Sequence, residues 1–134
     1  MRQGIQSSLA NDRVREEGCY FLCLLQWAVM EGGRDFADAN ITYLYGKCLD
    51  AGYIRKDCTI LFAHEVLNAA LLMDKYLITL PAKDPGTSRR FVQYLEKPGY
   101  GHFTLSFDGQ AWDPLDPNRL AAKDYRPVSY RLIS

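Results

Sequence analysis

A chain of 134 residues, 48% hydrophobic and 24% charged, has the balance of one folded domain and is too short for two comfortable ones. Lys plus Arg equals Asp plus Glu at sixteen each, which argues against a general nucleic-acid binder because counterion release needs a basic excess; Arg89-Arg90 is only a small local strip. No apolar run approaches bilayer length and residues 1–11 lack an apolar core, so a cytoplasmic protein without a membrane partner is expected, its four cysteines held as thiols.

In chain order, residues 19–30 read as a buried helix, since Phe21, Leu22, Leu24, Leu25, Ala28 and Val29 leave almost no polar face, and Gly32-Gly33 ends it. A second helix is expected from residue 38 or 40 to 51, with Ile41, Leu44, Tyr45, Cys48 and Leu49 as its stripe. A third is expected over 61–73, with Leu61, Val66, Leu67, Ala70 and Leu71 inward. Beyond Asp74 the period changes to that of strands. Residues 76–80 alternate and stop at Pro81, residues 83–88 form a turn, and 91–95 is the next strand. Gly99-Tyr100-Gly101 leads into a strand over 102–107. Asp108-Gly109 is a hairpin turn, and 110–113 is the returning strand, ended by Pro114. Val128, Tyr130 and Leu132 alternate with polar neighbours in a last strand. Helices followed by hairpin-linked strands predict an α+β fold with an antiparallel sheet.

Three residues stand in positions suited to nucleophilic chemistry. Cys19 falls in the first turn of the apolar helix, where unpaired N–H groups and the helix dipole favour a thiolate. Gly18 before it gives a substrate carbonyl room to approach. Read alone, Cys19 is more readily a small apolar residue of a core helix, since free cysteine is among the most buried residue types. His102 opens a strand beside a glycine corner, which gives an imidazole a stiff backbone and exposure, as a general base needs. Counting outward from Asp108-Gly109 brings Asp113 level with residues 102–105, where its carboxylate can accept the His102 Nδ1–H and fix the tautomer. Asp113-Pro114 also reads simply as a strand end, and Asp116 is the substitute for this role.

The remaining candidates are weaker. Cys23, one turn beyond Cys19, reads as core packing. Cys48 and Cys58 read as structural, and His64 beside Glu65 as a solvated helix residue. Cys19 and Cys23 with His64 and His102 are the residues a metal would use, but no short Cys-x2-Cys or His-x3-His spacing supports one, and no metal or other cofactor is expected.

Gly18-Cys19 opening an apolar helix, then Gly101-His102-Phe103-Thr104-Leu105, then Trp112-Asp113-Pro114-Leu115, resembles the papain-like cysteine peptidases. The likeness is strongest to the bacteriocin-processing (double-glycine leader) peptidases and their uncharacterised, often phage-associated relatives. The resemblance implies one papain-like domain over residues 1–134, with N-terminal helices packed on a C-terminal antiparallel sheet. It also implies a cysteine peptidase or amidase in which Cys19, His102 and Asp113 are catalytic and a peptide or protein is the substrate. Tyr20, Tyr100 and Trp112 are the expected cleft walls. One position departs from the pattern: the family usually has a Gln six residues before the nucleophile as oxyanion donor, and here that residue is Arg13. Gln6 and Asn11 are the nearby amides expected to take its place. The alternative is an inactive papain-like scaffold that binds a peptide, such as a phage-type accessory or inhibitor protein.

Overall fold

The computed structural model describes residues 1–115 and 124–134 of the chain. A 3-10 turn at Ile5–Ser8 precedes helices α1 (Asp12–Glu17), α2 (Cys19–Gly32), α3 (Asp38–Asp50) and α4 (Ala63–Leu71). Strands β1 (Arg90–Lys97), β2 (Tyr100–Phe107), β3 (Gln110–Trp112) and β4 (Arg126–Leu132) follow. The fold is therefore α+β, with helices in the N-terminal half and an antiparallel sheet in the C-terminal half, as the pattern predicts.

Helix α2 is the centre of the core. Phe21 to Ala28 are all buried, because a helix without a polar face is stable only when surrounded. It lies between α4 and the sheet. Trp27 meets Tyr76 on one side and Phe107 of β2 on the other, at ring-centroid distances of 4.8 and 5.7 Å. Gly33, with φ of 72°, closes the helix in the left-handed conformation that glycine adopts without a Cβ penalty. Helix α3 buries Ile41, Leu44, Tyr45 and Cys48, as its stripe predicts. Helix α4 starts at Ala63 rather than at Leu61, which is exposed, and buries Val66, Leu67 and Ala70.

The sheet has the order β3-β2-β1-β4. Asp108 and Gly109 both have positive φ, 51° and 86°, the combination a two-residue hairpin between β2 and β3 requires. Strand β4 pairs with β1, with a register shift at Tyr94/Leu95. The strand expected over 76–80 is absent as a regular element. Ile78 and Ala82 make only isolated bridges, to Ile133 and Tyr130. Leu77 and Leu80 stay exposed at 67% and 87%, so the alternation there has no second layer to face. The 3-10 turn and α1 were not expected. Their signal was Asn11, which caps α1 by accepting the Val14 N–H at 3.0 Å.

Candidate active site

Cys19 owes its place to a break between two helices. The Gly18 N–H closes α1 on the Val14 carbonyl at 2.9 Å, and the Gly18 carbonyl opens α2 by accepting from Leu22 at 2.8 Å. A Cβ on Gly18 would lie 2.4 Å from the Val14 carbonyl oxygen and 2.8 Å from its Cγ1. Close packing of the junction thus demands glycine there, which corrects the expectation that Gly18 serves substrate access. Had α1 run on, the Cys19 N–H would bond to the Arg15 carbonyl. That oxygen instead accepts the Gln6 side-chain amide at 3.1 Å. Among the described residues no backbone carbonyl takes the Cys19 N–H.

The opposite wall comes from the β2–β3 hairpin. Leu105 pairs with Trp112, so Asp113 follows beside Thr104 and diagonal to His102. His102 Nε2 stands 2.8 Å from Asp113 Oδ1, and the two side chains are 4% and 0% exposed. Asp113 is held from several sides. Its Oδ1 also accepts the Leu115 N–H at 2.9 Å, its backbone N–H donates to Gln3 Oε1 at 3.3 Å, and its carbonyl accepts from Gly4 at 2.9 Å. The N-terminal segment therefore buttresses the strand end that carries the carboxylate.

The contact uses Nε2, not the Nδ1 expected from the strand count. The ring nitrogens lie on opposite edges, and Asp113 meets the ring from the neighbouring strand on the Nε2 edge. Nδ1 makes no regular hydrogen bond among the described residues. Burial disfavours the charged ring, but the Asp113 hydrogen bond, then the neighbouring Cys19 side chain, outweigh it and push the His102 pKa up to about 9. Cys19 thus stands close enough to act on the ring, at the start of α2.

Cys19 opens into a cleft of about 340 Å³ shared with Tyr20, Phe103 and Arg131, and with Glu17 and residues 57–60 of a loop. Tyr20 is a cleft wall, as expected. Its ring stacks on Phe103 at 4.5 Å and 14°, and burial pushes its hydroxyl up to about 12 while Arg131 pulls the other way. Tyr100 and Trp112 are not walls of this cleft. Tyr100 is exposed at the β1–β2 turn, between Gly99 and Gly101, and borders a different pocket. Trp112 is buried and donates its indole N–H to the Met1 carbonyl at 3.0 Å.

Neither expected oxyanion amide lines the cleft either. Gln6 is buried with its amide on Arg15, and Asn11 is occupied as the α1 cap. Arg13 is exposed on α1.

Cys23 is fully buried, as expected, and burial pushes its thiol well up. Burial likewise raises Cys48 to about 11 and Cys58 to about 12. Cys58, read as structural, borders the cleft at a φ of 65°. His64 pairs with Glu65 at 3.2 Å on a partly exposed face. Among the described residues no three His, Cys, Asp or Glu side chains gather as metal ligands do. Asp116, the substitute for Asp113, lies outside the described residues. Sequence reasoning missed Arg131; its signal was only its place among the polar residues alternating with Val128, Tyr130 and Leu132.

Among the described residues no helix is long and apolar enough to cross a membrane. Residues 3–80 match the family described as Protein of unknown function, DUF261, and the chain belongs to that family. The matched part contains Cys19 and ends before β1, so it includes neither His102 nor Asp113. No curated protein and no solved structure matches the chain.

Proposed function

Because membership of this family carries no activity with it, we propose a function from the site: a papain-like cysteine hydrolase, peptidase or amidase, using Cys19, His102 and Asp113. The observation that carries the reading is the buried His102–Asp113 hydrogen bond of 2.8 Å, on a ring whose ionisation Cys19 also influences. An isolated core cysteine has no need of such a pair. A histidine oriented by a carboxylate and facing a helix-start cysteine in an open cleft is the arrangement nucleophilic acyl transfer uses.

In the proposed reaction His102 already holds the proton of the Cys19 thiol, and the Cys19 sulfur bonds to a substrate carbonyl carbon as the C=O electron pair moves to oxygen. Collapse of the tetrahedral adduct breaks the C–N bond, and His102 returns the proton to the leaving amine. Water, deprotonated by His102, then attacks the thioester, releasing the carboxylic acid and restoring the thiol. Asp113 holds the Nε2–H and stabilises the imidazolium. The Cys19 N–H, left without a backbone acceptor among the described residues by the helix break at Gly18, is the oxyanion donor.

The test is site-resolved labelling with a thiol-reactive probe. Cys19 reacts ahead of Cys23, Cys48 and Cys58 in the folded chain, and H102A slows Cys19 alone. Labelling at Cys19 no faster than at the buried thiols would sink the proposal. A second reading, a papain-like scaffold that binds a peptide without cleaving it, is favoured by one observation: among the described residues no Asn or Gln lines the cleft to donate to an oxyanion. Under that reading Cys19 still labels, but no acyl-enzyme accumulates with thioester or amide substrates.

A further inference from the structure

Arg131 is the unexplained group of the cleft. It lies on β4, paired with Val92 of β1, and its guanidinium sits over three rings: Phe103 at 5.0 Å, Tyr94 at 5.5 Å and Tyr20 at 5.7 Å. These distances lie within cation–π range, so the aromatic faces hold the plane of the guanidinium in place. Its side-chain hydrogen bonds, Nη1 to Ser129 Oγ at 2.8 Å and a contact with the Tyr20 hydroxyl, engage neutral acceptors and leave donors over. No carboxylate pairs with it among the described residues, although Glu17 and Asp57 border the same cleft. Two other arginines are paired, Arg90 with both Glu31 and Asp108 and Arg15 with Asp12.

Arg131 also marks the junction of two grooves. With Tyr20 and Ile60 it borders both the Cys19 cleft and a neighbouring groove of about 430 Å³. The latter contributes apolar surface from Leu61, Phe62, Ile78 and Leu80, of which Phe62 is 51% and Leu80 87% exposed. A planar fork of donors, fixed on aromatic faces beside a nucleophile, matches the geometry of a carboxylate.

We infer that Arg131 receives a carboxylate of the substrate next to the bond Cys19 attacks, so that the substrate class is an acidic peptide or acylamino acid with an apolar side chain in the adjoining groove. This rests on the hydrolase reading above. The carboxylate is either a chain end or the side chain of an Asp or Glu residue. Glu17 and Asp57 border only the Cys19 cleft, so they repel a second carboxylate there and help set the direction in which the substrate lies.

Iodoacetate and iodoacetamide provide the test, since they are nearly isosteric and differ in one negative charge. Each forms a carbon–sulfur bond at the thiol and expels iodide. The rate ratio of acetate over amide reagent at Cys19 is measured by mass spectrometry on the full chain, folded and urea-unfolded. His102 attracts the anion in every variant, so the comparison that counts is between wild type and R131Q. Wild type is expected to favour iodoacetate by roughly five- to tenfold more than R131Q. R131K should retain most of that preference, and salt should lower the iodoacetate rate alone. Equal ratios in wild type and R131Q, with Cys19 still the fastest thiol, overturn the inference while leaving the hydrolase reading standing. If neither reagent prefers Cys19 over Cys58, the hydrolase reading fails and the inference fails with it. Protection of Cys19 then separates the sources: N-acetyl-leucine represents the chain end and the α-amide of N-acetyl-glutamate the side chain. Equal protection by N-acetyl-leucinamide overturns the inference.

Discussion

His102 presents Nε2 to Asp113 Oδ1 at 2.8 Å, and its ring is also under the influence of the Cys19 side chain. The buried carboxylate thus has a defined influence on His102, separate from any contact with a substrate.

In D113N the amide oxygen can still accept the Nε2–H, so orientation survives while the negative charge is lost. The His102 pKa should fall from about 9 towards its ordinary range. Alkylation and any hydrolysis through Cys19 near neutral pH should fall on the order of 10²-fold or more. NMR titration of the His102 ring and site-resolved labelling check both halves, and an unmoved titration would refute the coupling.

Stability should depend on pH through the same ring. The folded pKa of about 9 exceeds an unfolded value of roughly 6.5, so the folded state holds the proton more tightly. The stabilisation is fully present below about pH 6.5 and is lost as pH rises through about 9, amounting to on the order of 3 kcal/mol. The buried thiols Cys48 and Cys58, raised to about 11 and 12, add a loss of the same sign above their unfolded range. The His102 part is the difference between wild type and H102Q in denaturant titrations run from pH 6 to 10.

Gln6 is expected to act on reactivity more than on stability. Its amide occupies the Arg15 carbonyl, while its own Oε1 is buried without a hydrogen bond among the described residues. Q6M keeps the volume, loses one hydrogen bond and removes one unsatisfied acceptor, so the stability change should stay within about 1 kcal/mol. The Arg15 carbonyl is then open to the Cys19 N–H, and catalytic turnover should drop while labelling of the thiol persists. Equal losses of both would show that Gln6 is merely structural.

Gly18→Ala should be more damaging than its size suggests. The new methyl would meet the Val14 carbonyl oxygen at 2.4 Å, and a backbone atom cannot swing aside. A loss of about 2 kcal/mol or more is expected, read as a lowered Tm, with Cys19 displaced and its labelling advantage reduced.

Much of this was legible beforehand. The buried character of residues 21–28 follows from their composition, because eight neighbouring residues without a polar face can only be enclosed. The β2–β3 hairpin follows from Asp108-Gly109, since a turn with two positive φ angles selects those residue types. That hairpin alone brings Asp113 back to His102, which is why the pair could be inferred from spacing. Tyr20 was placed correctly as a neighbour of Cys19 at the helix start.

What the chain pattern could not convey were relationships across elements distant in sequence. Which ring nitrogen meets Asp113 depends on how the imidazole sits between β3 and the α2 start. The Gln6–Arg15 contact and the Met1–Trp112 contact depend on where the N-terminal segment folds back. Strand β4 lies next to β1, beyond a segment outside the described residues, and only that pairing carries Arg131 over Tyr20 and Phe103. Local periodicity and turn chemistry determined helices α2 to α4, the β2–β3 hairpin and the His102–Asp113 pair, because these depend on short-range geometry. The cleft beside Cys19, and the cation within it, were decided by packing between segments far apart in the chain, the start of α2 against residues 57–60, Phe103 and Arg131.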